Sequence, residues 1–181
     1  MTPCCLKRTA AALAFGTAML AVPAVAAAAS ATLKDLDGKE VGTVELTQTA
    51  TDGVLLKVDI TNLPPGEHAF HTHETGKCEP PFKSAGGHFN PDDDTHGYMT
   101  EDGPHAGDMP NISVPESGKL TFEVYNDEVS VAEDEGLLED DEGYLFDDDG
   151  SAIVVHDGID DYKSQPSGDA GDRIACGVIE K

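Results

Sequence analysis

The sequence predicts an all-β domain, a sandwich or barrel of short strands. Three observations carry this: apolar residues alternate with period two, Gly and Pro turns punctuate them, and helical periodicity is poor throughout. Segments 41–48 and 55–60 flank the turn-like Thr51-Asp52-Gly53. In the second, Leu56, Val58 and Ile60 alternate with Lys57 and Asp59, as a half-buried strand requires. Leu120, Phe122 and Val124 repeat the alternation, and 153–156 and 174–179 are short apolar runs near the end. Two stretches break the pattern. Segment 74–110 is rich in Gly, Pro, Asp and His, and a connection that long in a compact domain is usually functional. Segment 133–149 holds ten acidic residues and no basic one. It reads as a solvated loop and keeps no Asp-x-Asp-x-Asn-Gly calcium spacing.

The first 30 residues of the 181 have a different character. Lys7 and Arg8 precede a short run, 10–21, of alanine, leucine and other small or apolar residues, and Ala24-Val25-Ala26 fits the small-x-small pattern of a cleaved signal. The run is too short and too alanine-rich to span a membrane comfortably. Residues 1–29 are therefore expected to be a signal peptide cut between 26 and 29, with 30–181 as one exported, periplasmic domain free of the membrane after cleavage. Cys4 and Cys5 leave with the leader. Cys78 and Cys176 remain as an even pair in an oxidising compartment, which predicts a disulfide. Closing a loop of 98 residues is worth about 4–5 kcal/mol in the chain-entropy model, before strain.

Losing Lys7 and Arg8 takes the formal charge from −24 to −26. Nucleic acid and anionic membranes need a basic face, so this balance excludes both as partners.

The chain has seven histidines: His68, His71, His73, His88, His96, His105 and His156. His71-Thr72-His73 lies in a strand-like segment, where residues two apart share a face and two imidazoles can grip one ion. His88, His96, His105 and Asp108 follow in the long loop. Neutral imidazole suits copper and zinc, and a carboxylate is a good further zinc ligand. Cysteine is absent from the cluster, which excludes a thiolate zinc finger. A donor set of this size points to two metals, or to one metal with spare ligands.

At this point a resemblance becomes close. Gly66-Glu67-His68-Ala69-Phe70-His71-Thr72-His73-Glu74 resembles the copper signature of the copper/zinc superoxide dismutase family, and Ser84-Ala85-Gly86-Gly87-His88-Phe89-Asn90-Pro91 resembles its bridging-histidine segment. His105-Ala106-Gly107-Asp108 resembles its zinc segment, and Gly171-Asp172-Arg173-Ile174-Ala175-Cys176-Gly177-Val178-Ile179 its C-terminal signature. The resemblance implies an eight-stranded Greek-key β-barrel of immunoglobulin-like sandwich architecture, with long metal-binding and channel loops. It implies copper on His71, His73, His88 and His156 and zinc on His88, His96, His105 and Asp108, one of each per subunit, with His88 as an imidazolate bridge and proton carrier. It also implies that Asp160 ties His71 to His96, that His68 packs and hydrogen-bonds without ligating, and that Cys78–Cys176 is the family disulfide.

The activity implied is disproportionation of superoxide. One superoxide leaves as dioxygen and the next as hydrogen peroxide, while copper alternates between Cu(II) and Cu(I), protecting the cell envelope. Arg173 is expected beside the copper, holding the substrate anion by charge and hydrogen bonds. The acidic chain repels that anion, so the metals and Arg173, helped by Lys163, must focus it locally. The acidic stretch is expected to lie away from the channel. A steep rise in rate at low ionic strength marks focusing, and a weak or falling response marks repulsion. Segment 123–150 matches the family poorly, and the short 160–172 segment looks more like the prokaryotic class, whose homodimer uses a different face of the barrel. The competing readings are a non-catalytic exported copper- or zinc-binding module of the same fold and an acidic interaction domain with structural metals.

Overall fold

A computed structural model describes residues 28–133 and 143–181. The stretch before residue 28, expected to be a signal peptide, and the middle of the acidic stretch lie outside the described residues. Nine strands are present among them: β1 (Ala28–Asp35), β2 (Glu40–Gln48), β3 (Val54–Ile60), β4 (Gly66–His68), β5 (Phe70–His73), β6 (Ile112–Val114), β7 (Leu120–Asn126), β8 (Ala152–His156) and β9 (Arg173–Glu180). The only other regular element among the described residues is a single 3-10 turn, Lys83–Ala85. Seven strands form one antiparallel sheet in the order β5-β8-β9-β1-β2-β3-β7, and β4 pairs with β6 in a separate ribbon. The all-β class stands. Among the described residues nine strands stand where the resemblance implied eight, and two of the nine, β4 and β6, are only three residues long.

Side-chain alternation fixes which way the sheet curls. In β3 every second residue from Val54 to Ile60 is buried while Leu55, Lys57 and Asp59 face water. Its register puts Leu56 opposite Leu46 and Val124, and Val58 opposite Val44 and Phe122. One face of β2, β3 and β7 thus feeds a single core that includes Leu33, Val44, Leu46, Phe70, Ile153 and Val155. Phe70 and Phe122 meet edge-on at 5.8 Å, so the terminal strands β5 and β7 face each other across that core in a curled half-barrel.

The other end of the sheet is built differently. Strand β8 is buried along its whole length. Ile153 and Val155 join the main core, while Ala152 and Val154 turn outward into a second small cluster with Phe82, Ala85 and Cys176. That cluster sits under the 74–86 part of the long loop. The predicted disulfide pins it: Cys78 and Cys176 are bonded, with Cα atoms 5.6 Å apart, tying the loop to β9.

Candidate metal centre

Strand β5 sits at the edge of the sheet, and its free side is not left open. Thr72 N–H donates to the Gly107 carbonyl, Phe89 N–H donates to the Thr72 carbonyl, and Gly107 N–H donates to the Phe89 carbonyl, at 2.8–2.9 Å. Bridge pairings bring His73 opposite His88 and His71 opposite Asp108. The long loop is thereby sewn backbone to backbone onto the strand carrying the His-x-His pair. His156 closes the group from the end of β8, where a register shift between Val155 and His156 marks a bulge of the kind that re-aims a side chain.

The structure brings together the six histidines expected to ligate, with Asp108, and two groups of four form. His71, His73, His88 and His156 offer ligand atoms within 4.8 Å of one another, and so do His88, His96, His105 and Asp108. His88 belongs to both. All seven of these residues are buried.

Hydrogen bonds assign the nitrogen that each ring presents. His71 Nε2–H donates to Asp160 Oδ2 at 2.9 Å, leaving Nδ1 without a partner. His73 Nδ1–H donates to the Gly86 carbonyl and His156 Nδ1–H to the Gly171 carbonyl, leaving Nε2 of each ring unpartnered. His88 lies 2.7 Å from Asp108 Oδ1 through Nδ1 and keeps Nε2 free. A buried, unpartnered ring nitrogen costs about 1–3 kcal/mol unless something binds it. Here the four rings that carry them offer ligand atoms within 4.8 Å of one another, as a donor set of neutral imidazoles for copper or zinc does. On the other side His96 Nδ1 lies 3.0 Å and His105 Nδ1 3.6 Å from the Asp108 carboxylate, a mixed nitrogen and oxygen set that suits zinc. The residues present fit both metals.

For three of the rings the charge state agrees with that use. Burial holds His73 well below its ordinary value and takes His88 down to about 4 and His156 to about 3, so all three are neutral at neutral pH. Burial pulls His96 the same way, but its hydrogen bonds to Asp108 and Asp160 outweigh that and carry it up to about 9. Burial would raise Asp108 and Asp160. The histidines around each outweigh it and hold both carboxyls far below the usual range.

Asp160 spans the two groups: one oxygen accepts from His71 and the other from His96 Nε2–H, each at 2.9 Å. His68 sits behind, its ring nitrogens 2.8 Å from the His156 carbonyl and 2.9 Å from the Pro64 carbonyl. Arg173, half-buried on β9, donates from Nη1 to the Phe82 carbonyl and from Nη2 to the Gly86 carbonyl. Its charge adds to burial in keeping His73 and His156 neutral, which marks its side of the cluster.

The sequence reading missed the supports. Gln165 grips the backbone of His96 at both ends, accepting its N–H and donating to its carbonyl, each at 2.9 Å. Asn111 does the same to Asp160, also at 2.9 Å both ways. Two side-chain amides therefore set the distance between His96 and the carboxylate it shares with His71. Gly168 completes the arrangement: its φ is +66°, and an added Cβ would overlap Asp160 Oδ1 and His96 Nε2. Single Gln, Asn and Gly residues in a loop carry no periodic signal, so nothing in the sequence alone marks them.

Comparison with known proteins agrees with the geometry. Residues 40–179 match the family model described as copper/zinc superoxide dismutase (SODC). The chain is 48% identical over 145 residues to copper-zinc superoxide dismutase 1 of Aquifex aeolicus, covering 79% of this chain and 82% of that one. It is 46% identical over 154 residues to the copper-zinc superoxide dismutase of Caulobacter vibrioides, covering 84% and 85%. Among solved structures, a double mutant of a SOD-like protein from Bacillus subtilis superposes with a TM-score of 0.76 at 36% identity, over 82% of this chain and 95% of that one. The chain belongs to the copper/zinc superoxide dismutase family.

Proposed function

We propose that His71 holds copper through Nδ1, that His73, His88 and His156 hold it through Nε2, and that His88, His96, His105 and Asp108 hold zinc, with one of each metal per subunit. The observation that carries this is that each ring of the first group has one unpartnered nitrogen while the four rings offer ligand atoms within 4.8 Å of one another, and His88 turns its other nitrogen to the second group. The chain disproportionates superoxide, two superoxide ions and two protons becoming dioxygen and hydrogen peroxide. Bound copper supplies the one-electron chemistry and bound zinc a fixed positive charge.

The chain's own residues do the rest. Arg173 binds the anion: two of its five N–H groups are spent on carbonyls that fix the guanidinium plane, and the others are available to the substrate. His88 Nε2 would carry a proton only while it is not holding copper, with Asp108 keeping the ring in place from the other side. Asp160 and His68 fix ring orientations on the two flanks.

The test is metal content by mass spectrometry together with superoxide decay, for wild type and His156→Ala. One copper and one zinc per chain with fast decay is expected for wild type. The variant should keep zinc, lose copper and slow at least about 100-fold. A variant that keeps both copper and rate removes the assignment. A wild type that binds both metals without accelerating decay selects the non-catalytic metal-binding reading.

Export is part of the same proposal. Lys7, Arg8, the 10–21 run and Ala24-Val25-Ala26 support it, and a signal of that kind would deliver the mature protein to the periplasm. Strand β1 begins at Ala28, and the buried Ala29 pairs with Leu46. A cut after Ala26 keeps that strand whole, and N-terminal sequencing of the periplasmic protein should begin at Ala27. Among the described residues no helix is long and apolar enough to cross a membrane. The short 160–172 segment supports a homodimer of the prokaryotic kind, which sedimentation equilibrium tests.

A further inference from the structure

The four residues assigned to zinc are not equally enclosed. The side chains of His88, His96 and Asp108 are 0–1% exposed, whereas His105 is 9% exposed. His105 is also the least tethered ring of the centre. The other six histidines each place a ring nitrogen 2.7–3.3 Å from a carboxylate or a carbonyl, but the nearest such contact of His105 is Asp108 at 3.6 Å, beyond a hydrogen bond. Its Nδ1 is buried and unpartnered.

On the outer side of this ring lies a cavity of about 230 Å³ whose wall includes His105 and Asp108. Its frame is fixed at two points close to His105. Asn126 Nδ2 donates to the Ala106 carbonyl at 2.8 Å, and Tyr98 Oη donates to the Asp108 carbonyl at 2.7 Å. Between the pinned backbones the cavity is walled by two of the four zinc residues, Asp108 and His105, and of these His105 is the more exposed. Two carboxylates, Asp127 and Glu128, also line the cavity, and both residues are exposed. The copper side presents the opposite sign, because Arg173 is held there.

We propose that zinc reaches and leaves its site through this cavity, with Asp127 and Glu128 as landing carboxylates for the hydrated cation and the His105 ring as the gate it displaces. The inference rests on zinc being held by His88, His96, His105 and Asp108. The physical argument is one of field and access. A divalent cation is drawn toward a cleft lined with carboxylates, repelled by a guanidinium, and admitted where one weakly tethered side chain must move.

A passage residue has a kinetic signature that a structural residue lacks. It stabilises the barrier, so its loss slows uptake and release by the same factor and leaves the dissociation constant unchanged. The experiment mixes the metal-free, disulfide-oxidised full chain with zinc and a chromophoric indicator in a stopped-flow instrument, and separately follows zinc release into excess chelator. Asp127→Asn with Glu128→Gln should slow both rates about 5- to 10-fold at low ionic strength and flatten the salt dependence of uptake. Glu45→Gln with Asp59→Asn removes the same charge from the outer face of β2 and β3 and should change either rate less than about twofold. If the cavity pair slows uptake no more than the distant pair, or shifts the dissociation constant at an unchanged uptake rate, the route is wrong. Zinc stoichiometry at equilibrium separates this from the underlying assignment. One zinc per chain with unaltered kinetics overturns the passage alone, and no tightly held zinc in wild type overturns the site.

Discussion

Strands β3 and β8 sit in the same sheet and solve burial in opposite ways. In β3 one face is packed and the other carries Leu55, Lys57 and Asp59 into water. In β8 both faces are packed, one into the main core and the other into the small cluster of Phe82, Ala85 and Cys176. The half containing β2, β3 and β7 is a sheet with one wet side. The half containing β5, β8 and β9 carries an added outer layer of loop, and that layer brings His88, His96 and His105 against His71, His73 and His156 of the sheet. Chemistry lives where a second layer gives the sheet a dry outer face.

Three measurements would break or sharpen that contrast. The largest effect is expected from untying the outer layer. Cys176→Ser opens the loop joined at Cys78, and urea unfolding should show a loss of about 4 kcal/mol. A loss below about 1 kcal/mol would mean that the layer holds itself without the tether.

The next effect is a pH dependence of the metal-free protein. His73, His88 and His156 have folded values below their ordinary 6.5, so below that pH the unfolded chain gains protons that the folded chain refuses. Stability should fall by at least about 2 kcal/mol from pH 6.5 to pH 5. His96 acts oppositely: its folded value of about 9 contributes stability that is complete below 6.5 and lost as pH rises through 9. A maximum at about pH 7, steeper on its acid side, is expected. A curve flat from pH 5 to 8 would show that the rings are not dry.

The smallest effect belongs to the wet half. Leu55→Ala on β3, where the residue is 37% exposed, should change stability by less than about 0.5 kcal/mol. A core-sized loss would show that this face is covered.

The same contrast explains what could be read in advance. Strands β2, β3 and β7 were legible because a half-wet strand writes its two faces into alternating residue types. Strands β8 and β9 were legible as apolar runs. The histidine set was legible because His-x-His on a strand, followed by His88, His96, His105 and Asp108, is a donor pattern without a structural purpose of its own. Strands β4 and β6 are three residues each and leave no pattern. Strand β1 begins inside the stretch that reads as leader, since alanines at 28 and 29 serve either role. Gln165 and Asn111 act by gripping backbone groups, and such contacts exist only once two loops have met.

The stitching of Thr72 has one further consequence. Both of its backbone groups are taken, by Gly107 and by Phe89. The outermost ribbon of the sheet therefore has no vacant rung there on which a neighbouring molecule could begin to stack. The contacts that bring the ligands together also keep crowded copies of this protein from templating one another, so loosening the loop would cost solubility along with turnover.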